Sequence, residues 1–399
     1  MDTGELTMKK RMSLLTALLL IASLIITACG SNGTPSSGNG DTDTGNDPIV
    51  VGGVLELTGN VSSFGQSTRD GVLLAFEEIN AAGGVLGRQI KFIPEDNKSQ
   101  QAESATAAQK LIQQDKVVAI LGAVASSNTL AAAPIAQQAK IPLISPSSTN
   151  PAVTQVGDYI FRACFIDPFQ GNVMASFAVD NLSATTAAIM TDNNSDYSIG
   201  LAEVFRAEFE AKGGKIVSEV SFSSGDTDFN TILTTIKNAN PEVVFIPAYY
   251  DSVGLILDQA KNNVGFSEDI KFLGTDGWDS PTLFELAGDS ANGTFFSNHY
   301  SPETDSPEVK NFVSKYQAKY NAVPDALAAL AYDAAYMLAD AIERAGSTDS
   351  AALRDALVST DLAGVGGQLK LNENRDPIKS AVVIKVEDQE QTYYTTVNP

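Results

Sequence analysis

Histidine is almost absent from this chain: His299 is the only one. A Ser-His or Cys-His nucleophile needs an imidazole beside it, and zinc sites draw on histidine and cysteine together. One histidine argues against both. Cysteine is nearly as scarce, with Cys29 and Cys164 alone. Cys29 has a separate use, given below, so Cys164 has no partner for an internal disulfide and reads as a small buried hydrophobe. Basic residues are outnumbered, 26 against 48 acidic, for a formal charge of −22. A phosphate-backbone binder needs a basic face, so no nucleic-acid partner is expected. The charge serves solubility. Enzyme motifs are also lacking. There is no Gly-Lys-Ser/Thr phosphate loop and no Gly-x-Ser-x-Gly elbow, and Val51-Gly52-Gly53-Val54-Leu55 lacks dinucleotide spacing. Asp192, Asp196, Asp226 and Asp228 lack the order of an EF-hand and read as solvated loop acids. No enzyme, cofactor or metal is expected.

What is present begins at the N-terminus. Lys9, Lys10 and Arg11 precede an apolar run from Leu14 to Ile26, and Ile26-Thr27-Ala28-Cys29 follows. A basic start, an apolar middle and small residues at the cut read as an export signal over residues 1–28. The uncharged run from Ser13 to Ala28 has 16 residues, short of the roughly 20 of a spanning helix. Removing residues 1–28, with three basic and two acidic side chains, leaves −23. Residues 31–47 hold one proline and no apolar side chain. Such a segment cannot bury enough to fold. It reads, with Cys29, as a spacer over 29–47 with a reach of roughly 20–25 Å.

The remaining 350 or so residues suit two lobes rather than one core. Apolar strands near 49–57, 89–94, 117–121 and 141–144 alternate with helices near 67–81, 100–114 and 128–139. The alternation restarts after Asp167, with strands near 187–190, 216–220, 243–246 and 272–274. Helices follow near 307–320, 325–345 and 350–359, and strands near 381–386 and 392–397. The pattern predicts an α/β chain with two doubly wound parallel sheets.

In such sheets ligands bind past the carboxyl ends of strands. Ser126 stands there at a predicted helix start, where free N–H groups and the helix dipole favour an anion. Ser147 and Thr149 follow the next strand and add donors. From the second run, Asp276 offers a carboxylate suited to an ammonium. Tyr197, Tyr249 and Trp278 offer apolar walls with polar tips, and Phe64, in the loop after the first strand, adds another wall. Each residue also has a plainer reading. Ser126 caps a helix, Ser147 and Thr149 turn the chain beside Pro146 and Pro151, Asp276 closes a turn, and the aromatics pack in the core.

These segments resemble a known family. Leu57-Thr58-Gly59 with Phe64-Gly65, then Gly71 through Ile79-Asn80-Ala81-Ala82-Gly83-Gly84-Val85-Leu86-Gly87, is similar to the solute-binding proteins of branched-chain amino acid ABC transporters. So are Ser126-Ser127, Pro146-Ser147-Ser148-Thr149, Asp192 through Tyr197-Ser198-Ile199-Gly200, and Gly274-Thr275-Asp276-Gly277. Ile26-Thr27-Ala28-Cys29 resembles a bacterial lipobox, whose cysteine is lipidated. The resemblance implies a type I periplasmic-binding-protein fold with three hinge crossovers near Asp167, His299 and Asn372. Lobe 1 is then 48–167 plus 300–372, and lobe 2 is 168–299 plus 373–399. It implies that Ser126, the Ser147 backbone and Thr149 hold an amino acid's carboxylate. Asp276, with Tyr197 and Tyr249, holds the ammonium. Phe64 stands where leucine binders often show tyrosine, and Asp276 replaces a longer glutamate. The implied protein is a monomer, lipid-anchored at Cys29 in the cell envelope, that delivers a hydrophobic L-amino acid to a membrane permease. The alternatives are a ligand-sensing module, or a binder of another small amide or carboxylate.

Overall fold

The computed structural model describes residues 47–399. The lipidation expected at Cys29, the export signal and nearly all of the spacer lie outside the described residues. Among the described residues, no helix is long and apolar enough to cross a membrane.

Five strands form the first sheet: β1 Ile49–Leu55, β2 Ile90–Asp96, β3 Ala119–Gly122, β4 Leu143–Ser145 and β5 Ile160–Arg162. Their order is β2-β1-β3-β4-β5, and every pair is parallel. The second sheet takes β6 Thr186–Asp192, β7 Lys215–Phe222, β8 Val243–Phe245, β9 Lys271–Gly274 and β10 Phe295–Asn298. A hairpin, β11 Asp361–Gly364 with β12 Gly367–Lys370, stands apart. The chain then returns to the second sheet as β13 Ala381–Glu387 and β14 Glu390–Val397, giving the order β14-β13-β10-β9-β8-β6-β7. Only the pairs made by β13 are antiparallel there.

Alternation along each strand explains the layering, because successive side chains point to opposite faces. Ala119 and Leu121 enter one apolar cluster with Val72, Phe76 and Leu338, while Ile120 enters another with Leu111, Ala132 and Ala136. In the second sheet Val244 and Phe272 face one layer, and Val243, Phe245 and Leu273 face the other. Both sheets are thus covered twice, which is why their strands read as continuous apolar runs. Helix Ser62–Ala81 packs on helix Ala326–Ala345 closely enough that a Cβ on Gly71 would lie 2.2 Å from the Ala328 carbonyl oxygen.

The chain passes between the sheets at 163–166, 299–306 and 371–380, at or beside the crossovers expected near Asp167, His299 and Asn372. Several elements differ from expectation. β5, β10 and the β11–β12 hairpin are additional. The first helix begins at Ser62 rather than near 67, so Phe64 lies in a helical first turn and not in a loop.

Candidate functional site

The carboxyl ends of β1, β3 and β4 face those of β6, β8 and β9 across a cleft. A cavity there counts about 260 Å³ including its mouth, and is lined by Phe64, Ser126, Ser147, Tyr197, Tyr249 and Asp276, with Leu327 beside them. Six of the eight residues expected at the site therefore meet. Beyond Ala125 and Tyr249 the cleft widens into a polar crevice of about 1030 Å³.

On the first side, helix Ser126–Ala139 starts without a side-chain cap. Its entry is braced from below by Glu56, which is fully buried and accepts from the Val124 and Ala125 N–H groups at 3.2 and 3.1 Å and from Asn128 Nδ2 at 2.8 Å. Burial raises the pKa of Glu56, and these donors oppose the rise. Ser126 Oγ accepts from Asn150 N at 3.3 Å, so its own proton remains free to donate. Ser147 Oγ donates to the Val124 carbonyl at 3.2 Å. This side offers the Ser126 hydroxyl and a helix N-terminus, and among the lining residues it carries no charge.

On the second side, Asp276 opens a short 3₁₀ turn and is the only carboxylate among the described residues lining the cavity. Tyr197 Oη donates to Asp276 Oδ1 at 2.7 Å, and His299 Nε2 lies 2.9 Å from Oδ2. The Asp276 backbone N–H donates to Gln170 Oε1 at 3.0 Å. Tyr197 Oη also pairs with Thr275 Oγ1 at 2.6 Å and accepts from Gly277 N at 3.0 Å. The Tyr197 and Tyr249 rings stack at 4.9 Å and 12°, and Phe64 meets Tyr249 edge-on at 5.8 Å. Burial, then the charge of Asp276, pushes both phenols well above their ordinary range, so they remain neutral. Gly277 is required here by close approach: a Cβ would sit 2.9 Å from both Ala248 O and Tyr197 Oη.

Two expected residues do not reach the cavity. Trp278 is 0% exposed and packs among Phe296, Leu283 and Ile246, with Nε1 donating to the Ile246 carbonyl at 3.0 Å. The 3₁₀ turn at 276–278 carries the indole down into the core while leaving Asp276 at the surface of the cleft. Thr149 lies behind the wall. Its carbonyl accepts from Asp167 N at 3.0 Å, and its Oγ1 has no partner.

The sequence reading missed His299, Gln170, Glu56 and Asp167. Asp167 is buried to 1% exposure, and neither of its oxygens meets a donor at bonding geometry. Burial pushes its carboxyl up to about 8; the nearby Thr149 and Gln170 side chains and the charge of Arg162 lower it, and the charge of Asp276 raises it further. The only available signal was that His299 and Asp167 stand at the expected crossovers.

Contacts across the cleft hold the two sides together. Ser127 Oγ donates to Asp196 Oδ2 at 2.8 Å and accepts from Asp196 N at 3.0 Å. Asn150 Nδ2 reaches Asp196 O at 2.9 Å, and Ser63 N donates to Tyr250 Oη at 3.0 Å.

Two doubly wound sheets facing each other across a small, bipolar cavity define a two-lobed solute-binding protein of the type I periplasmic-binding fold. Residues 48–391 match the family model described as periplasmic binding protein, and the chain belongs to that family. It is 31% identical, over 83% of its length and 87% of the relative's, to a leucine-, isoleucine-, valine-, threonine- and alanine-binding protein of Pseudomonas aeruginosa. Among solved structures it is similar to a leucine-binding protein from Thermotoga maritima, with 40% identity, a TM-score of 0.85, and coverage of 88% of this chain and 99% of that one. It is also similar to a branched-chain amino acid transporter substrate-binding protein from Streptococcus pneumoniae in complex with isoleucine, with 34% identity, a TM-score of 0.84, and coverage of 88% and 100%. Proteins of this family bind solutes outside the cytoplasm rather than transform them.

Proposed function

We propose that this chain captures a branched-chain or other hydrophobic L-amino acid between its lobes and delivers it to the permease of an ABC importer. The observation that carries the reading is the polarity of the cavity. Uncharged donors from the Ser126 hydroxyl, the Ser147 backbone and a helix N-terminus lie on one wall, and one carboxylate, Asp276, lies on the other. A zwitterion fits that arrangement end to end, with its carboxylate at the helix and its ammonium at Asp276. Phe64, Tyr249 and Leu327 leave an apolar surface for the side chain. Thr149 supports the wall from behind. The lobes are assigned as 48–167 with 300–372, and 168–299 with 373–399. Cys29 carries the lipid that keeps the protein, as a monomer, near the permease. The substrates named for the relatives support the ligand class.

Titration calorimetry with leucine, isoleucine, valine and the amine-free 4-methylpentanoate tests the assignment. One or more of the amino acids binds and 4-methylpentanoate does not. Asp276→Ala weakens the amino acid by on the order of 2–5 kcal/mol, because the ammonium loses its partner inside a closed cleft. That is roughly 30-fold to several thousand-fold in Kd. Equal affinity in wild type and Asp276→Ala, or preference for the amine-free acid, overturns the reading.

A further inference from the structure

The single histidine stands between two cavities. His299 follows β10, where the chain leaves the second sheet, and is 4% exposed. Its Nε2 lies 2.9 Å from Asp276 Oδ2, and its ring stacks on Phe165 at 3.8 Å and 29°. Its backbone N–H donates to Asn298 Oδ1 at 2.8 Å. The ring is thus fixed from two directions, and Nδ1 has no partner. On the side away from the ligand cavity, His299 lines a second cavity of about 980 Å³, open at its mouth, with Tyr300, Ile378 and Lys379. The residue touches the acid of the binding site and also borders a solvent-connected space.

We propose that His299 is a positioning residue which, as a neutral Nε2–H donor, aims Asp276 at the ligand's amine and, when protonated from the hinge-side cavity, releases the ligand. The proposal rests on the amino acid reading of the site. Asp276 has two oxygens, each fixed by one donor: Tyr197 Oη on Oδ1 and His299 on Oδ2. Neither donor is charged, so the carboxylate keeps its full attraction for an ammonium. An imidazolium at 2.9 Å would neutralise that carboxylate before the ligand arrives, and one bound proton would exclude one bound ligand.

The surroundings set the direction of the response. Burial disfavours the imidazolium and lowers the pKa of His299, while Asp276 favours the charged form. Lys379, across the hinge-side cavity, opposes protonation, and Asp279, on the same turn as Asp276, favours it. Asp167, beside Asp276, is itself held protonated near neutral pH. Burial acts most strongly, so the imidazole stays neutral at pH 7 and protonates on the acid side of the ordinary value of about 6.5. Below that point affinity falls by about tenfold per pH unit, the limit for one linked proton.

Calorimetry of leucine binding from pH 4.5 to 8 tests this in wild type, His299→Gln and His299→Phe. Glutamine keeps an N–H donor at similar reach and takes up no proton; phenylalanine keeps the stack and loses the donor. Wild type holds its affinity near neutrality and loses it on the acid side of pH 6.5. His299→Gln binds within a few-fold of wild type at pH 7.5 and stays flat down to pH 5. His299→Phe is weaker at every pH by on the order of tenfold, the loss of one hydrogen bond to a charged group. Because the chain has one histidine, nitrogen NMR of the ring reads its tautomer directly, and the complex shows the proton on Nε2. A His299→Gln profile that parallels wild type, or a ring with its proton on Nδ1, overturns the proposal while leaving amino acid capture in place. A wild type that binds no amino acid overturns both. Should His299→Phe fail to fold, the glutamine profile and the tautomer decide alone.

Discussion

Asp167→Asn is expected to stabilise the ligand-free protein, by an amount that grows with pH. Asp167 is 1% exposed, and no donor reaches either oxygen at bonding geometry. Burial pushes its carboxyl up to about 8, against about 3.9 in an unfolded chain. The folded state therefore holds a proton that the unfolded state releases. Stability from this group is complete below pH 4, declines as the pH rises, and levels off once the folded group also ionises near 8. Each pH unit in that window is worth about 1.4 kcal/mol. At pH 7 a rigid site gives about 4 kcal/mol, and relaxation around the acid reduces this, so about 1–4 kcal/mol is expected. Asparagine has nearly the same shape and never ionises, so it escapes the decline. Equilibrium denaturation can be followed through Trp278, the only tryptophan and a fully buried one. The stability gap between Asp167→Asn and wild type should widen by about 1–3 kcal/mol from pH 5 to pH 7. Comparing the two proteins cancels the pH dependence of the many surface acids. Curves that run parallel within about 0.5 kcal/mol across this range would refute the reasoning, and would mean that Asp167 is hydrated or paired in solution.

Two further perturbations separate the cleft from the tether. Gly277→Ala places a Cβ 2.9 Å from Ala248 O and Tyr197 Oη, displacing the tyrosine stack; calorimetry should show ligand binding weakened by about 1–3 kcal/mol, the range for overpacking. Cys29→Ser should move the exported protein from the membrane fraction to the soluble fraction while leaving ligand affinity unchanged, and fractionation by blot reads this directly.

Much of the fold is legible because burial on two sheet faces leaves continuous apolar runs, as in Ala119–Gly122, where Ile120 and Leu121 serve different layers. What is illegible is short or locally polar. β10 has four residues, and the β11–β12 hairpin buries only Leu369 well. Helix Ser62–Ala81 opens on Ser-Ser-Phe-Gly-Gln, which lacks a helical apolar stripe, so its first turn and the placement of Phe64 escape a periodicity argument. At the site, reading past strand ends finds Ser126, Ser147, Tyr197, Tyr249 and Asp276, since each follows a strand directly. The same rule fails at Trp278, because it gives a position along the chain and not a direction, and two residues of 3₁₀ turn reverse the side chain. His299, Gln170 and Glu56 act only through partners far away in sequence, which no local pattern encodes.

The three passages between lobes differ in how they handle charge, and that difference bears on how a ligand controls closure. The third is closed by pairing: Arg162, 0% exposed, lies 2.7 Å from Asp376 and donates to the Asn150 carbonyl at 2.9 Å, while Lys379 donates to the Ala163 carbonyl at 3.0 Å. Breaking such a pair strands a buried ion, so this passage acts as a fixed strut. The first two carry Asp167 and His299, each buried, each with an unpartnered polar atom, and each beside Asp276. Their least costly dry states are both neutral, a protonated acid and a deprotonated base. Closing the lobes thus leaves Asp276 as the one uncompensated charge on the cavity wall. A ligand shifts a closure equilibrium only by its different affinity for the two states. An ammonium meets that condition, because the closed cleft offers it a dehydrated carboxylate that the open cleft leaves in water. Under the amino acid reading proposed above, a solute without an amine forgoes that gain, so the ionisation of the passages contributes to ligand choice along with the walls of the cavity.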